Sequence, residues 1–193
     1  MTPLTRREPL LVVIGPSGAG KSTVVRALAR AGVVDVNPSW TTRPPRPGEP
    51  ARCVEHRFVT DPEFDALDRR GLFVETIRPF GLPYRYGLPA VRPPRAAAVP
   101  LLMLRAPHIP VLRRHYDRAS VYQVEDTRDR VAARLAARHR DPAEHGTRLR
   151  DYEVEVALGR KEARRVFVND RDIAALVAAV RDAIAADFGL VAE

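Results

Sequence analysis

Two hydrophobic periods alternate along this chain. Leu10, Leu11, Val12, Val13 and Ile14 form an unbroken apolar run, which predicts a strand buried on both faces. A glycine-rich turn, residues 15–20, follows. Over 23–31, Val24, Val25 and Leu28 recur at helical spacing, and Gly32 supplies a stop. Residues 33–36 predict a second short strand. The Pro-, Arg- and Thr-rich stretch 37–50 reads as a loop. Asp61 and Pro62 start a helix that turns Phe64 and Leu67 inward and ends before Gly71. A strand at 73–77 is followed by a turn-rich segment, 81–94. Strands are then expected at 99–104, 120–124 and 166–168. Thr127 can cap a helix carrying Val131 and Leu135, and 148–165 reads as one charged helix. Asp170 can cap a last helix, in which Ile173, Leu176, Val177, Val180 and Ile184 recur at helical spacing. Strands alternating with helices imply an α/β fold around a parallel sheet, with no internal repeat.

Composition narrows the class. The 193 residues suffice for one domain with a small inserted subdomain. With 45% hydrophobic and 29% charged residues, disorder throughout and a fibrous repeat are not expected. No run approaches about 20 apolar residues, so no membrane span is expected. Residues 1–9 resemble neither a secretory signal nor a transit peptide. The single cysteine, Cys53, leaves no internal disulfide and no cysteine-based zinc site, which suits a cytoplasmic protein. Of the 32 cationic residues only Lys21 and Lys161 are lysine, and the net charge is +8. Guanidinium groups suit phosphate ligands. The arginines are scattered and few aromatics interleave them, so a nucleic-acid partner is not expected.

The sharpest chemistry lies at the first turn. Gly15-Pro16-Ser17-Gly18-Ala19-Gly20-Lys21-Ser22 fits the phosphate-binding pattern G-x-x-x-x-G-K-[ST] in full, between an apolar strand and a helix. Glycines let successive backbone N–H groups turn toward phosphate oxygens, and the helix N-terminus favours an anion. Lys21 can reach the β- and γ-phosphates of ATP, and the Ser22 hydroxyl can ligate Mg²⁺. Gly15, Ser17, Gly18, Ala19, Gly20, Lys21, Ser22 and Thr23 are therefore the candidate ATP-binding residues. Further along, Arg43 and Arg46 stand three apart on a stiff, proline-bearing loop, where two guanidinium groups can hold one phosphate between them.

With Ser39-Trp40-Thr41-Thr42-Arg43-Pro44-Pro45-Arg46-Pro47-Gly48-Glu49 added, the sequence resembles the guanylate kinase family of nucleoside monophosphate kinases, over roughly residues 10–188. Weaker matches are Phe58 with Glu63-Phe64, Phe73-Val74-Glu75, Tyr86-Gly87, Arg134-Leu135 with Arg138, Arg148-Leu149 and Val168-Asn169-Asp170. The resemblance implies a P-loop kinase fold in a single domain. Its core would span about 8–36 and 96–190, its acceptor-binding subdomain about 37–95, and a mobile lid about 138–148. It implies ATP and Mg²⁺ as cofactors and transfer of the γ-phosphoryl group to a monophosphate acceptor, GMP or dGMP. Arg43, Arg46 and Tyr86, with Thr42 beside them, would bind the acceptor phosphate. Ser39 and Glu75 would meet the guanine edge. Arg138 and Arg148 would close over the transferring group with Lys21 and Arg43, and Asn169 would lie beside the adenine. A monomer or homodimer is expected.

Three departures accompany the resemblance. His56 stands where the family has a tyrosine on the acceptor phosphate. The central strand ends in Met103-Leu104-Arg105, where the family places carboxylates. A cation there, Arg105, would favour a second anionic group on the acceptor. Finally, residues 81–89 and 105–116 look closer to a sister family, the ribose 1,5-bisphosphate kinases, so a sugar-phosphate acceptor is the alternative. A catalytically silent guanylate-kinase-like binding module is the other, although such modules usually degrade the glycine-rich loop that is intact here.

Overall fold

A computed structural model of the chain describes residues 7–46, 49–50, 53–78, 81–94, 97–138, 146, 148–170 and 172–189; the side chain of Arg138 and most of the expected lid lie outside it. Five parallel strands form the main sheet, in the order β2 (Val34–Val36), β7 (Val99–Met103), β1 (Leu10–Ile14), β8 (Ala119–Glu125), β9 (Arg165–Val168). β1 is at the centre because its apolar run can be covered on both faces. Leu11 and Val13 pack under α1 (Lys21–Arg30) and α6 (Ile173–Phe188), against Val24, Val25, Leu28, Leu176, Val180 and Ile184. Leu10, Val12 and Ile14 face the other way, onto Ile109 and Leu112 of α3 (Ile109–His115). A smaller cluster of Val131, Leu135 and Tyr152 joins α4 (Arg128–Arg138) to α5 (Tyr152–Glu162). No described helix is long and apolar enough to cross a membrane.

The second sheet is an excursion between β2 and β7. Its order is β4 (His56–Phe58), β3 (Ser39–Thr41), β6 (Tyr86–Pro89), β5 (Phe73–Ile77). β3 runs parallel to β4 and antiparallel to β6, and β5 runs antiparallel to β6. α2 (Asp61–Arg69) closes it, with Phe64 stacked on Phe73 at 4.7 Å between ring centres. That helix starts in a reciprocal cap: Thr60 accepts from the Glu63 N–H, and Glu63 accepts from the Thr60 N–H.

Several expectations are corrected. The segments read as loop at 37–50 and as turns at 81–94 hold β3 and β6, the middle strands of the second sheet. Each is only three or four residues long and carries turn-type residues, so its pairing comes from its neighbours and not from its own pattern. Asp172, not Asp170, caps α6, accepting from the N–H groups of Ala174 and Ala175 at 3.0 Å each. The helix expected over 148–165 is interrupted by a turn at Asp151 and ends at Glu162. α3 was not foreseen; Pro110 in its first turn and the cluster Arg113, Arg114, His115 obscure a short apolar face.

Candidate active site

Parallel strands place ligands at their C-terminal ends. Here the ends of β1 and β7 open onto a cleft of about 190 Å³, and the second sheet forms the opposite bank. The first bank is the loop after β1. At Gly15, φ is +136°, and a Cβ there would lie 1.9 Å from the Val124 carbonyl oxygen, so only glycine fits. Gly20, also at positive φ, begins α1, and a Cβ on it would meet the Asn169 amide at 2.6 Å. That amide donates to the Ala19 carbonyl at 2.9 Å, so Asn169, buried, braces the loop from behind. The Lys21 ammonium donates to the carbonyls of Gly15 and Pro16 at 2.7 and 2.9 Å, which keeps its charge over the loop. Ser17, Gly18, Ser22 and Thr23 line the same wall. Arg134 adds a brace, donating to the Gly18 carbonyl while paired to the buried Asp126.

The second bank is made of side chains. Ser39, His56, Glu75 and Tyr86 line it, together with Arg46 from the loop after β3. Arg43 is buried behind them, its guanidinium 5.1 Å from the Phe58 ring centre and paired to Glu49 at 2.9–3.0 Å. Glu49 also accepts from the Arg46 backbone N–H at 2.9 Å, so one carboxylate fixes the whole turn. Burial disfavours ionised Glu49, but the hydrogen bonds from Arg43 and Arg46 prevail and hold its carboxyl below the usual range. Arg46 is pushed the other way: burial, then the charges of Arg43 and Arg148, lower its pKa. Three converging guanidinium groups with one carboxylate among them suit an incoming anion. Thr42 does not line the cleft; its hydroxyl accepts from the Arg85 N–H at 3.0 Å and ties β3 to β6.

His56 occupies this bank with its Nδ1 2.9 Å from the Ser39 Oγ and its ring edge-on to Tyr86, 5.7 Å between centres. Burial and then the charge of Arg43 lower its pKa to about 4, so the imidazole is neutral at pH 7. At the end of β7, Met103, Leu104 and Arg105 also line the cleft. The expected unopposed cation is not found there. Arg105 is paired to Glu155 at 2.6 Å and to Asp151 at 3.1 Å. Arg148, also buried, reaches the loop, with Nη1 3.5 Å from the Ser17 hydroxyl. The reading from sequence quoted Arg134 only as part of a motif match, without a role, and passed over Asp126, Asp151 and Glu155. The signal available was the spacing of Arg148, Asp151 and Glu155, which is that of one helix stripe.

Ser22 is the candidate Mg²⁺ ligand, and no cluster of three His, Cys, Asp or Glu side chains suited to a metal exists among the described residues. A single hydroxyl still fits, because Mg²⁺ in such sites keeps several waters and takes most of its remaining oxygens from phosphates.

A guanylate kinase of Nocardia farcinica is 37% identical to this chain over 172 residues, 86% of this chain and 88% of the relative. One from Frankia casuarinae is 38% identical over 172 residues, covering 83% and 89%. The chain belongs to the guanylate kinase family. Among solved structures, the guanylate kinase of Anaplasma phagocytophilum superposes with a TM-score of 0.66, covering 95% of this chain and 88% of that one. At 22% identity that likeness speaks to the fold, the P-loop kinase arrangement of a parallel sheet flanked by helices. No protein-family model matches the chain.

Proposed function

We propose that this protein is an ATP-dependent kinase that moves the γ-phosphoryl group of ATP to GMP or dGMP, giving GDP or dGDP. The observation that carries the reading is that the intact phosphate loop and the cluster of Arg46, Tyr86 and Arg148, with Arg43 behind it, meet across one cleft. ATP lies along the loop, with Lys21 offsetting charge on the β- and γ-phosphates. The acceptor phosphate sits on Arg46 and Tyr86, with the electrostatic support of Arg43. Ser39 and Glu75 face the acceptor base, Glu75 as acceptor for its N–H groups. Arg148, and Arg138 from the end of α4, neutralise the group in flight. No general base is needed, because the acceptor phosphate is already ionised, and catalysis is positioning and charge stabilisation. Mg²⁺, held by Ser22 and by ATP itself, adds charge neutralisation when bound. The same reading makes this a cytoplasmic enzyme of small nucleotides.

The alternative, a sugar bearing two phosphates, drew its support from residues 81–89 and 105–116 and from the cation at Arg105, and only the last is touched by the structure. Two carboxylates on that guanidinium weaken it. A coupled assay across GMP, dGMP, AMP, UMP and ribose 1,5-bisphosphate tests the proposal. GMP and dGMP should exceed the others in kcat/KM by about a hundredfold or more, as a site built around hydrogen-bond partners permits. Turnover of the bisphosphate alone would replace the acceptor, and ATP binding with no turnover of any acceptor would favour the silent module.

A further inference from the structure

We infer that Arg105 is a positioning residue, which holds Arg148 against the phosphate loop through Asp151 and Glu155 and does not itself contact the acceptor. The inference rests on the kinase reading above and assigns a task to the position where this chain lacks a carboxylate.

Three observations carry it. First, Arg105 is committed. Glu155 has a side chain only 2% exposed, and a carboxylate so buried is costly without a partner. Its Oε1 accepts from the Arg105 Nε at 2.6 Å, and the same guanidinium gives its Nη2 to Asp151 at 3.1 Å. The Arg105 guanidinium is thus divided between two carboxylates of the helical segment. Second, the partners belong to the segment that carries Arg148. Asp151 caps the helix that carries Glu155, whose N–H donates to the Asp151 carbonyl at 2.9 Å, so the two carboxylates are held in the first turn of one helix. Arg148 stands three residues before that cap, is buried and reaches Ser17. Third, the contacts close a ring. Arg105 follows β7, Ser17 follows β1, and these strands are hydrogen-bonded neighbours with Leu11 opposite Leu101 and Val13 opposite Met103. The Leu104 N–H continues this pairing onto the Val13 carbonyl at 3.1 Å. The helical segment is thus pinned at Glu155 by one strand end while its Arg148 reaches the loop after the other.

The test is a double-mutant cycle. Arg105→Met alone strands a buried carboxylate, so the tether is cut with the paired change Arg105→Met and Glu155→Met, which keeps the site apolar and filled. Circular dichroism and a cooperative melt establish folding. The paired variant should lose about tenfold in kcat with its acceptor KM within twofold of wild type, the scale of coupling between neighbouring residues. Arg148→Met should show the same split, and the triple variant should be no worse than Arg148→Met. Loss of acceptor affinity with kcat intact would overturn the inference, since Arg105 would then touch the acceptor. Multiplying effects in the triple variant, or no effect in the paired one, would overturn it as well. If wild type fails to turn over GMP, the kinase reading fails separately, and the cycle is read on ATP affinity by calorimetry. There the paired variant and Arg148→Met should weaken ATP equally and without addition; an unchanged ATP affinity in the paired variant would refute the tether.

Discussion

The two banks of the cleft are made of different material. The phosphate-loop bank is contiguous in sequence and works through backbone, a single loop from the end of β1 into the first turn of α1. Its tolerances are set by glycine positions such as Gly15, where even a methyl group meets a carbonyl. The acceptor bank gathers side chains from β3, β4, β5, β6 and the turn at Arg46, none of which can be placed without the others. A backbone site can be kept by a short motif alone. A side-chain site depends on each residue separately, so a single exchange at a position such as His56 can alter it while the phosphate loop stays intact.

The difference can be tested from the largest expected effect downward. Lys21→Met should lower kcat/KM by a factor on the order of 10²–10³, the loss typical of one preorganised charge-stabilising donor. Its folding should be unchanged, because Lys21 is only partly buried and donates to carbonyls of the loop it serves. Wild-type turnover in this variant would refute the kinase reading. Arg46→Ala should weaken acceptor binding by roughly ten- to a hundredfold, the loss of one charge-assisted contact. ATP affinity should hold, and calorimetry with each ligand separates the two banks. An equal loss for both ligands would show that they are not independent.

Gly87→Ala should act on the second bank through packing. A Cβ there would lie 2.6 Å from the Phe73 ring, so β6 must shift or the ring must turn, at a cost of about 1–3 kcal/mol in thermal or denaturant unfolding. Acceptor KM should rise while ATP affinity stays. The smallest effect is one of pH. His56 in the fold takes a proton only near pH 4, whereas the unfolded chain takes it near 6.5. Between those values the unfolded state binds more protons, so this group favours folding above about pH 6.5 and its contribution is lost as pH falls toward 4. Melting temperatures of wild type and His56→Gln over that range should converge as pH falls, because only wild type carries the titration.

How much of this was legible beforehand follows the same division. β1, the phosphate loop and α1 could be read because their signals are local: an apolar run, positive-φ glycines and a helical stripe of Val24, Val25 and Leu28. α6 was legible by its apolar spacing, though its cap was misplaced by two residues. β3 and β6 were not, since Ser39-Trp40-Thr41 and Tyr86-Gly87-Leu88-Pro89 become strands by pairing with each other, Trp40 opposite Gly87 and Thr41 opposite Tyr86, and with β4 and β5 outside them. Within the site, Ser39, Arg46, Glu75 and Tyr86 line the cleft, whereas Thr42 is turned to Arg85. Arg105 was legible as a departure, but its partners lie 46 and 50 residues away, beyond any local pattern.

β3 carries one more consequence. Its residues alternate faces, so Ser39 looks into the cleft while Trp40, the next residue, lines a separate groove with Pro38, Arg57 and Leu72. Trp40 is the only tryptophan in the chain. The indole therefore sits one peptide unit from the acceptor bank yet outside the space the acceptor would fill. Its emission can follow a shift of the acceptor sheet without an attached dye and without quenching by direct contact, so the molecule carries its own optical gauge for that bank.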